Sequence, residues 1–332
     1  MIHNRQNSYD LLRIISAAAV VIIHINLAYY SLGFYTPLWF LHIIFDNYTR
    51  FCVPCFLMIS GAFILNNSKN TDFKYFYKKV FFKTVLPFLL IAAFYFVFDI
   101  CAALARGRDV VDVLKTYIIG REYNLWFMYF LVGIYALVPL VIRMKEKLGS
   151  RIFAVLTVFW TAASVVLMNL FKSKPSYSPL MIFSYMSFFL LGALLYGKLS
   201  NISHPSVLLI AALLFFSIKF VFRVLRIPLP IDNAVYFFPP TIIASVLIFL
   251  FFGAIDVKKP LKKEADKTYY IYLFHTFLYT HVLAVTGTVI IINPVFTVII
   301  LSAAVFAVSY IAAAIWIKMW KAISENRLKG NL

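Results

Sequence analysis

The chain has 332 residues, of which 63% are hydrophobic and only 13% are charged, and its formal net charge is +18. Together with a mean hydropathy of +0.88, this excludes an ordinary soluble protein, which has about 45–50% apolar and about 25% charged residues. The positive charge does not indicate a nucleic-acid partner, because the lysines lie in short gaps between long apolar runs. We therefore predict an all-α polytopic integral membrane protein.

The apolar runs predict about ten transmembrane helices, since a span needs about 20 mostly apolar residues. We expect a single transmembrane domain over residues 1–332, with no soluble domain. The boundary between the last two spans rests on Asn293-Pro294, so nine or eleven spans are alternatives. The predicted spans are 12–31, 38–65, 80–103, 122–142, 152–170, 180–197, 207–222, 236–254, 268–292 and 294–317.

The arginines and lysines predict the orientation of these spans. With a cytoplasmic N-terminus, 20 of them fall in cytoplasmic segments or at the edges of these segments, and 8 fall in outside segments. Cytoplasmic loops carry the excess of positive charge in membrane proteins. We therefore expect both termini in the cytoplasm and a multi-pass protein of the cell membrane.

The first span contains an arginine and a histidine, and both side chains are energetically costly to place in an apolar environment. Arg13 and His24 are eleven residues apart, which is about three full helical turns, so both side chains share one face with about 16 Å of rise between them. Asp10, one turn earlier, extends this stripe. As alternatives to a functional role, Arg13 extends to the membrane interface and His24 serves in helix packing. However, ionisable side chains deep in the membrane usually have a functional role. Composition alone leaves a pump, a transporter and a membrane enzyme open.

The second span contains Arg50, with Asp46 at the i,i+4 spacing that permits an ion pair. This pair either braces two helices or places a positive charge at a reaction site. Pro54 is expected to bend the span, or its first part to lie at the interface. Ser60 is followed by Gly61, a pairing that also serves close helix approach.

Later spans add Trp126, Tyr135 and His275 as candidate site residues. Aromatic belts and core packing are the alternative for the two aromatic residues, and packing is the alternative for the histidine. His42 and His281 belong to no motif, and we assign both to packing or to the interface.

Two other patterns are set aside. Cys52-Val-Pro-Cys55 lies inside an apolar span, whereas redox pairs of this spacing open a helix in a thioredoxin-like domain. The lysine runs at 74–83 and 258–267 could bind phosphates, but cytoplasmic loops require positive charge in any case. No metal site is predicted.

Four segments in chain order resemble the membrane-bound acyltransferase 3 family. They are YDLLRIISAAAVVIIH (9–24), RFCVPCFLMISGAFIL (50–65), LWFMYFLVGIYALVPL (125–140) and YIYLFHTFLY (270–279). The chain looks most like short members that acylate surface polysaccharides or lipid-linked sugars. The resemblance implies transfer of an acyl group, most often acetyl, from acyl-CoA to a sugar hydroxyl. The implied partners are acyl-CoA, a glycan or lipid-linked sugar acceptor and the lipid bilayer, with no permanently bound cofactor.

The same resemblance implies roles for the candidate residues. His24 is the expected catalytic group, either as a general base or as an acyl carrier, and Arg13 with Asp10 is expected to bind the donor. The runner-up is an exporter of polysaccharide or lipid-linked sugar that shares the fold without the chemistry. The residues expected to contact the substrate or the transition state are Arg50, Asp46, Ser60, Trp126, Tyr135 and His275.

Overall fold

The regular structure is helical throughout the part of the chain that the computed structural model describes, and no strand occurs there. The described residues are 2–27, 35–118, 123, 125–170, 179–198, 202–227, 235–286 and 294–329. The helices in chain order are α1 (Ile2–Leu27), α2 (Pro37–Thr49), α3 (Cys52–Leu65), α4 (Phe73–Val80), α5 (Leu86–Ala105), α6 (Val110–Ile118), α7 (Trp126–Leu170), α8 (Pro179–Leu195), α9 (Ser206–Val224), α10 (Pro239–Ala254), α11 (Lys262–Ala265), α12 (Thr268–Thr286) and α13 (Pro294–Lys329).

Six helical stretches of the described chain are long and apolar enough to cross a membrane, which confirms a multi-pass membrane protein. Two further apolar helices, α8 and α10, are shorter than a full span. The predicted count of ten spans and the cytoplasmic placement of both termini stay predictions. The six stretches are Asn7–Leu27, Pro37–Leu65, Phe73–Ala105, Trp126–Leu170, Ser206–Val224 and Phe296–Ala322.

Two of the predicted spans, 122–142 and 152–170, fall largely within the 45-residue helix α7. Gly149 interrupts this helix with φ 73° and ψ 169°. Only glycine adopts such a conformation readily, because it has no Cβ to clash with the backbone. The helix therefore changes direction between the two apolar runs, where the sequence places a short polar segment.

The second predicted span is divided into two helices, since α2 ends at Thr49 and α3 begins at Cys52. Pro54 explains the position of the break, because a proline ring clashes with the carbonyl four residues earlier, here that of Arg50. Arg50 is accordingly the C-terminal cap of α2. At its other end, α2 is capped by Thr36, whose hydroxyl accepts from the backbone N–H of Trp39 at 3.2 Å.

The chain forms two compact units, Met1–Cys52 with Ile255–Leu332, and Val53–Ala254. In the first unit, α1, α12 and α13 share a buried apolar core. Burial of this continuous core holds the three helices together, as the apolar composition of their sequences predicts. The buried residues are Val21, Ile25, Ile271, Val298, Val305 and Ala313.

In the second unit, two glycines allow a very close backbone contact between α3 and α8. A Cβ added to Gly61 would lie 1.8 Å from the carbonyl oxygen of Phe189, and one added to Gly192 would lie 1.9 Å from that of Met58. Small residues at such crossings let helices in membranes approach closely. The reading of Gly61 as a packing glycine agrees with this contact.

Candidate active site

His24 and His275 lie side by side in the first unit, with ring centroids 5.1 Å apart. Nδ1 of His275 lies 2.6 Å from the carbonyl oxygen of Tyr272 and 3.2 Å from that of Ile271. Because carbonyl oxygens only accept, Nδ1 carries the proton, and Nε2 accepts from the Thr276 hydroxyl at 3.0 Å. Both nitrogens of His275 are thus engaged within its own helix.

The two histidines differ in exposure. His275 is 1% exposed, whereas His24 is partly exposed. A group that removes a proton from a substrate must come within hydrogen-bond reach of it. Of this pair, His24 is therefore the imidazole suited to meet a substrate, and His275 is the fixed neighbour that packs against its ring.

Arg50 and Asp46 form the ion pair that their i,i+4 spacing permits. The guanidinium Nε donates to Asp46 Oδ1 at 2.7 Å, and a terminal guanidinium nitrogen contacts the same oxygen. Both side chains are largely buried, with 12% of Arg50 and 3% of Asp46 exposed. The structure therefore places a buried, paired cation in the same unit as the two histidines.

Arg13 lies on the same uninterrupted helix as His24. A guanidinium nitrogen of Arg13 is 3.6 Å from Asp10 Oδ1, and the Arg13 side chain is 28% exposed. Asp10 also interacts electrostatically with Lys262 and Asp266, which belong to the segment around α11. This end of the unit therefore has an accessible guanidinium among mixed charges, about 16 Å of helical rise from His24.

The other three candidates belong to the second unit. Ser60 is a partly exposed residue of α3. Trp126, at the start of α7, packs against Phe130 at 5.4 Å between ring centroids. Tyr135 is 9% exposed, and its ring centroid is 6.3 Å from that of Phe189. For these two aromatic residues, the contacts are those of packing.

Sequence reasoning missed one polar contact of this unit, between Asn26 and His42. Asn26 Nδ2 donates to the carbonyl oxygen of His42 at 3.0 Å, and both side chains are buried. The signal was available: Asn26 is an amide in an apolar span, two residues after His24. Polar side chains in such spans usually bond across helices.

The described residues contain no group of three or more His, Cys, Asp or Glu side chains that could hold a metal ion. Cys52 and Cys55 are buried and Cys101 is exposed, and none of these three described residues forms a disulfide. Cys55 Sγ lies 3.7 Å from the carbonyl oxygen of Ser245, which is a packing contact. The candidate chemistry of the first unit thus rests on imidazole, guanidinium and carboxylate groups.

Comparison with protein families finds a match to the acyltransferase domain of the acyltransferase 3 family over residues 6–314. The match covers α1 to most of α13 and contains every candidate residue described above. Comparisons with curated proteins and with solved structures give no significant match. The resemblance found in the four sequence segments is confirmed, and the chain belongs to the acyltransferase 3 family.

Proposed function

We propose that this membrane acyltransferase moves an acyl group, most simply acetyl, from acyl-CoA to a sugar hydroxyl of a surface polysaccharide or lipid-linked glycan. The observation that carries the proposal is the grouping of His24, His275 and Arg50 in one unit of a chain of this family. An imidazole in the same unit as a paired cation suits a reaction in which a proton leaves the nucleophile while negative charge develops on a carbonyl oxygen.

In the proposed reaction, His24 acts as the general base. A ring nitrogen takes the proton of the sugar hydroxyl while the hydroxyl oxygen attacks the thioester carbonyl carbon. The carbon–sulfur bond then breaks, and the thiolate of CoA leaves. The proton held by His24 passes to this sulfur, so that the products are the sugar ester and the CoA thiol. General-base catalysis of this kind contributes about 10²–10⁴-fold in rate.

His275 and Arg50 support this step in different ways. Because His275 uses Nδ1 on backbone carbonyls and Nε2 on the Thr276 hydroxyl, it is suited to hold the His24 ring in place rather than to exchange protons itself. Arg50 is suited to stabilise the oxyanion of the tetrahedral intermediate. A hydrogen-bond donor positioned at the oxyanion contributes about 10²–10³-fold in rate.

Arg13 and Asp10 are proposed to serve the donor. A planar guanidinium can bind phosphate oxygens bidentately, and that of Arg13 is 28% exposed. The rise of about 16 Å between Arg13 and His24 leaves room for an extended pantetheine arm to carry the thioester from the phosphates to the imidazole. This geometry gives a reason for the eleven-residue spacing of the two residues.

The test uses purified full-length protein in detergent, acetyl-CoA and a panel of glycan acceptors. We expect release of the CoA thiol together with an acetyl ester on the acceptor, detected by mass spectrometry. Thiol release without an ester would indicate a thioester hydrolase. Absence of both products, with glycan transport in reconstituted vesicles, would favour the exporter of the same fold.

A further inference from the structure

Asn26 on α1 and His42 on α2 form a reciprocal pair of hydrogen bonds. The Asn26 amide donates to the His42 carbonyl oxygen at 3.0 Å, and His42 Nδ1 lies 3.2 Å from the Asn26 carbonyl oxygen. A carbonyl oxygen only accepts, so His42 Nδ1 carries a proton and donates it. The side chains are 1% and 4% exposed, and buried hydrogen bonds of this kind are costly to break from one side.

This pair fixes the register of two antiparallel helices. Asn26 meets His42 near one end, while Ala18 and Ile22, earlier on α1, line a cavity together with Phe45, later on α2. Because earlier residues of α1 lie beside a later residue of α2, the two helices are antiparallel. A single pair of directional hydrogen bonds at the Asn26–His42 level sets how far α2 can slide along α1.

The register determines the level of Arg50 relative to His24. Asp46 lies four residues beyond His42, which is about 6 Å of rise, and Ile22 lies the same distance before Asn26 on α1. His24 is midway between those α1 residues. Helical side chains lean toward the N-terminus of their helix, and Arg50 indeed folds back onto Asp46.

Arg50 therefore carries its charge at the Asp46 level, about 3 Å along the axis from His24. If the Arg50 side chain did not fold back onto Asp46, its charge would lie about one turn further along α2, at about the level of Ala18 on α1. Two contacts therefore bring the Arg50 charge to about the height of the His24 imidazole along the helix axis. They are the ion pair with Asp46 and the Asn26–His42 hydrogen bonds.

We propose that Asn26 and His42 are positioning residues for acyl transfer, which hold α1 and α2 in the register that sets the Arg50 charge beside His24. The inference rests on the proposed function, because it presumes that His24 and Arg50 act on the reacting thioester. A slip of α2 by one residue moves Arg50 by about 1.5 Å, and a misplacement of about 1 Å costs on the order of 100-fold in rate.

The test compares variants of purified full-length protein by kcat, by KM for acetyl-CoA and by thermal stability. His42→Leu removes the ring donor, and we expect a fall in kcat on the order of 100-fold with an unchanged KM for acetyl-CoA. His42→Asn places an amide N–H at the position of Nδ1–H and is expected to restore most of kcat. His281→Leu is the matched control, because its ring bonds the Phe277 carbonyl of its own helix at 2.8 Å, and it should keep the wild-type kcat.

The double variant Asn26→Leu/His42→Leu separates positioning from stability. Both acceptors are main-chain carbonyls, which every variant keeps, so the double variant removes both directional contacts without leaving a buried side-chain donor of the pair unpaired. We expect it to fold with reduced thermal stability, and with kcat as low as that of His42→Leu or lower. If His42→Leu alone fails to fold, Asn26→Leu carries the test, because it removes the other of the two contacts. Wild-type kcat in a stable double variant, or failure of His42→Asn to recover kcat above the His42→Leu level, would overturn the inference while leaving acyl transfer standing. A wild-type protein without acyl transfer would instead overturn the proposed function itself.

Discussion

Replacing Asp46 with asparagine leaves the Arg50 guanidinium buried without its carboxylate. The pair has a 2.7 Å hydrogen bond, and 12% of Arg50 and 3% of Asp46 are exposed. Removing one partner of such a pair costs about 3–5 kcal/mol, because an uncompensated charge stays buried. We therefore expect Asp46→Asn and Arg50→Gln each to lower thermal stability and yield strongly.

The double variant Asp46→Asn/Arg50→Gln tests whether Arg50 also acts in catalysis. With both charges removed, most of the lost stability should return, since a buried pair contributes little net stability. Acyl transfer should remain about 10²–10³-fold below wild type, the effect of losing one aimed donor at an oxyanion. The assay is thermal unfolding in detergent alongside initial rates of CoA thiol release.

The exposed pair Asp112–Lys115 provides the control. Its N–O distance is 3.2 Å, but 72% of Asp112 and 64% of Lys115 are exposed, so Asp112→Asn should change stability by less than about 1 kcal/mol. A double variant at Asp46 and Arg50 that is both stable and active would refute the catalytic role of Arg50 and leave a structural brace.

The remaining predictions concern the donor, helix packing and pH. Arg13→Ala should raise KM for acetyl-CoA, and Arg13→Lys should restore part of the affinity, because the charge survives without the planar fork; unchanged KM in both would exclude donor binding. Gly61→Ala and Gly192→Ala should each lower thermal stability by about 1–3 kcal/mol or more, since the added Cβ would meet backbone at 1.8 Å and 1.9 Å; wild-type melting would disprove this contact. Hydrogen bonds from Lys267 and Tyr310 lower the pKa of Glu264, so its stabilising effect is present above about pH 4.5 and is lost as pH falls through the lowered pKa. Melting of Glu264→Gln should therefore depend less on acid than melting of the wild type, and identical acid profiles would contradict this.

Composition and periodicity were sufficient for the helical, multi-pass character, and the four motif segments were sufficient for the family. The stripe of Asp10, Arg13 and His24 was also accessible from sequence, because it depends only on the geometry of one uninterrupted helix. The contact between Asp46 and Arg50 was likewise predictable from sequence, because the two residues are four positions apart. Predictions that rely on spacing within one helix are therefore the ones that sequence supports best.

Contacts between helices that are distant in sequence were not accessible. The pairing of His24 with His275 joins residues 251 positions apart, and no periodicity encodes which helices become neighbours. Asn26 was visible as a polar residue of an apolar span, but its partner His42 lies on the next helix, and spacing within one helix does not encode that contact. The helix break at Arg50 was anticipated only as a bend, because the clash of Pro54 with the preceding turn has several possible outcomes.

Acyl transfer by purified His24→Ala, measured beside the wild type, shows directly whether His24 carries the chemistry. Both proteins are assayed with acetyl-CoA and the same glycan acceptor, with thermal unfolding as the control for folding. We expect a folded His24→Ala protein that forms the acetyl ester about 10²–10⁴-fold more slowly than the wild type, because no positioned base receives the acceptor proton. Ester formation by His24→Ala at the wild-type rate would show that His24 is not the catalytic base.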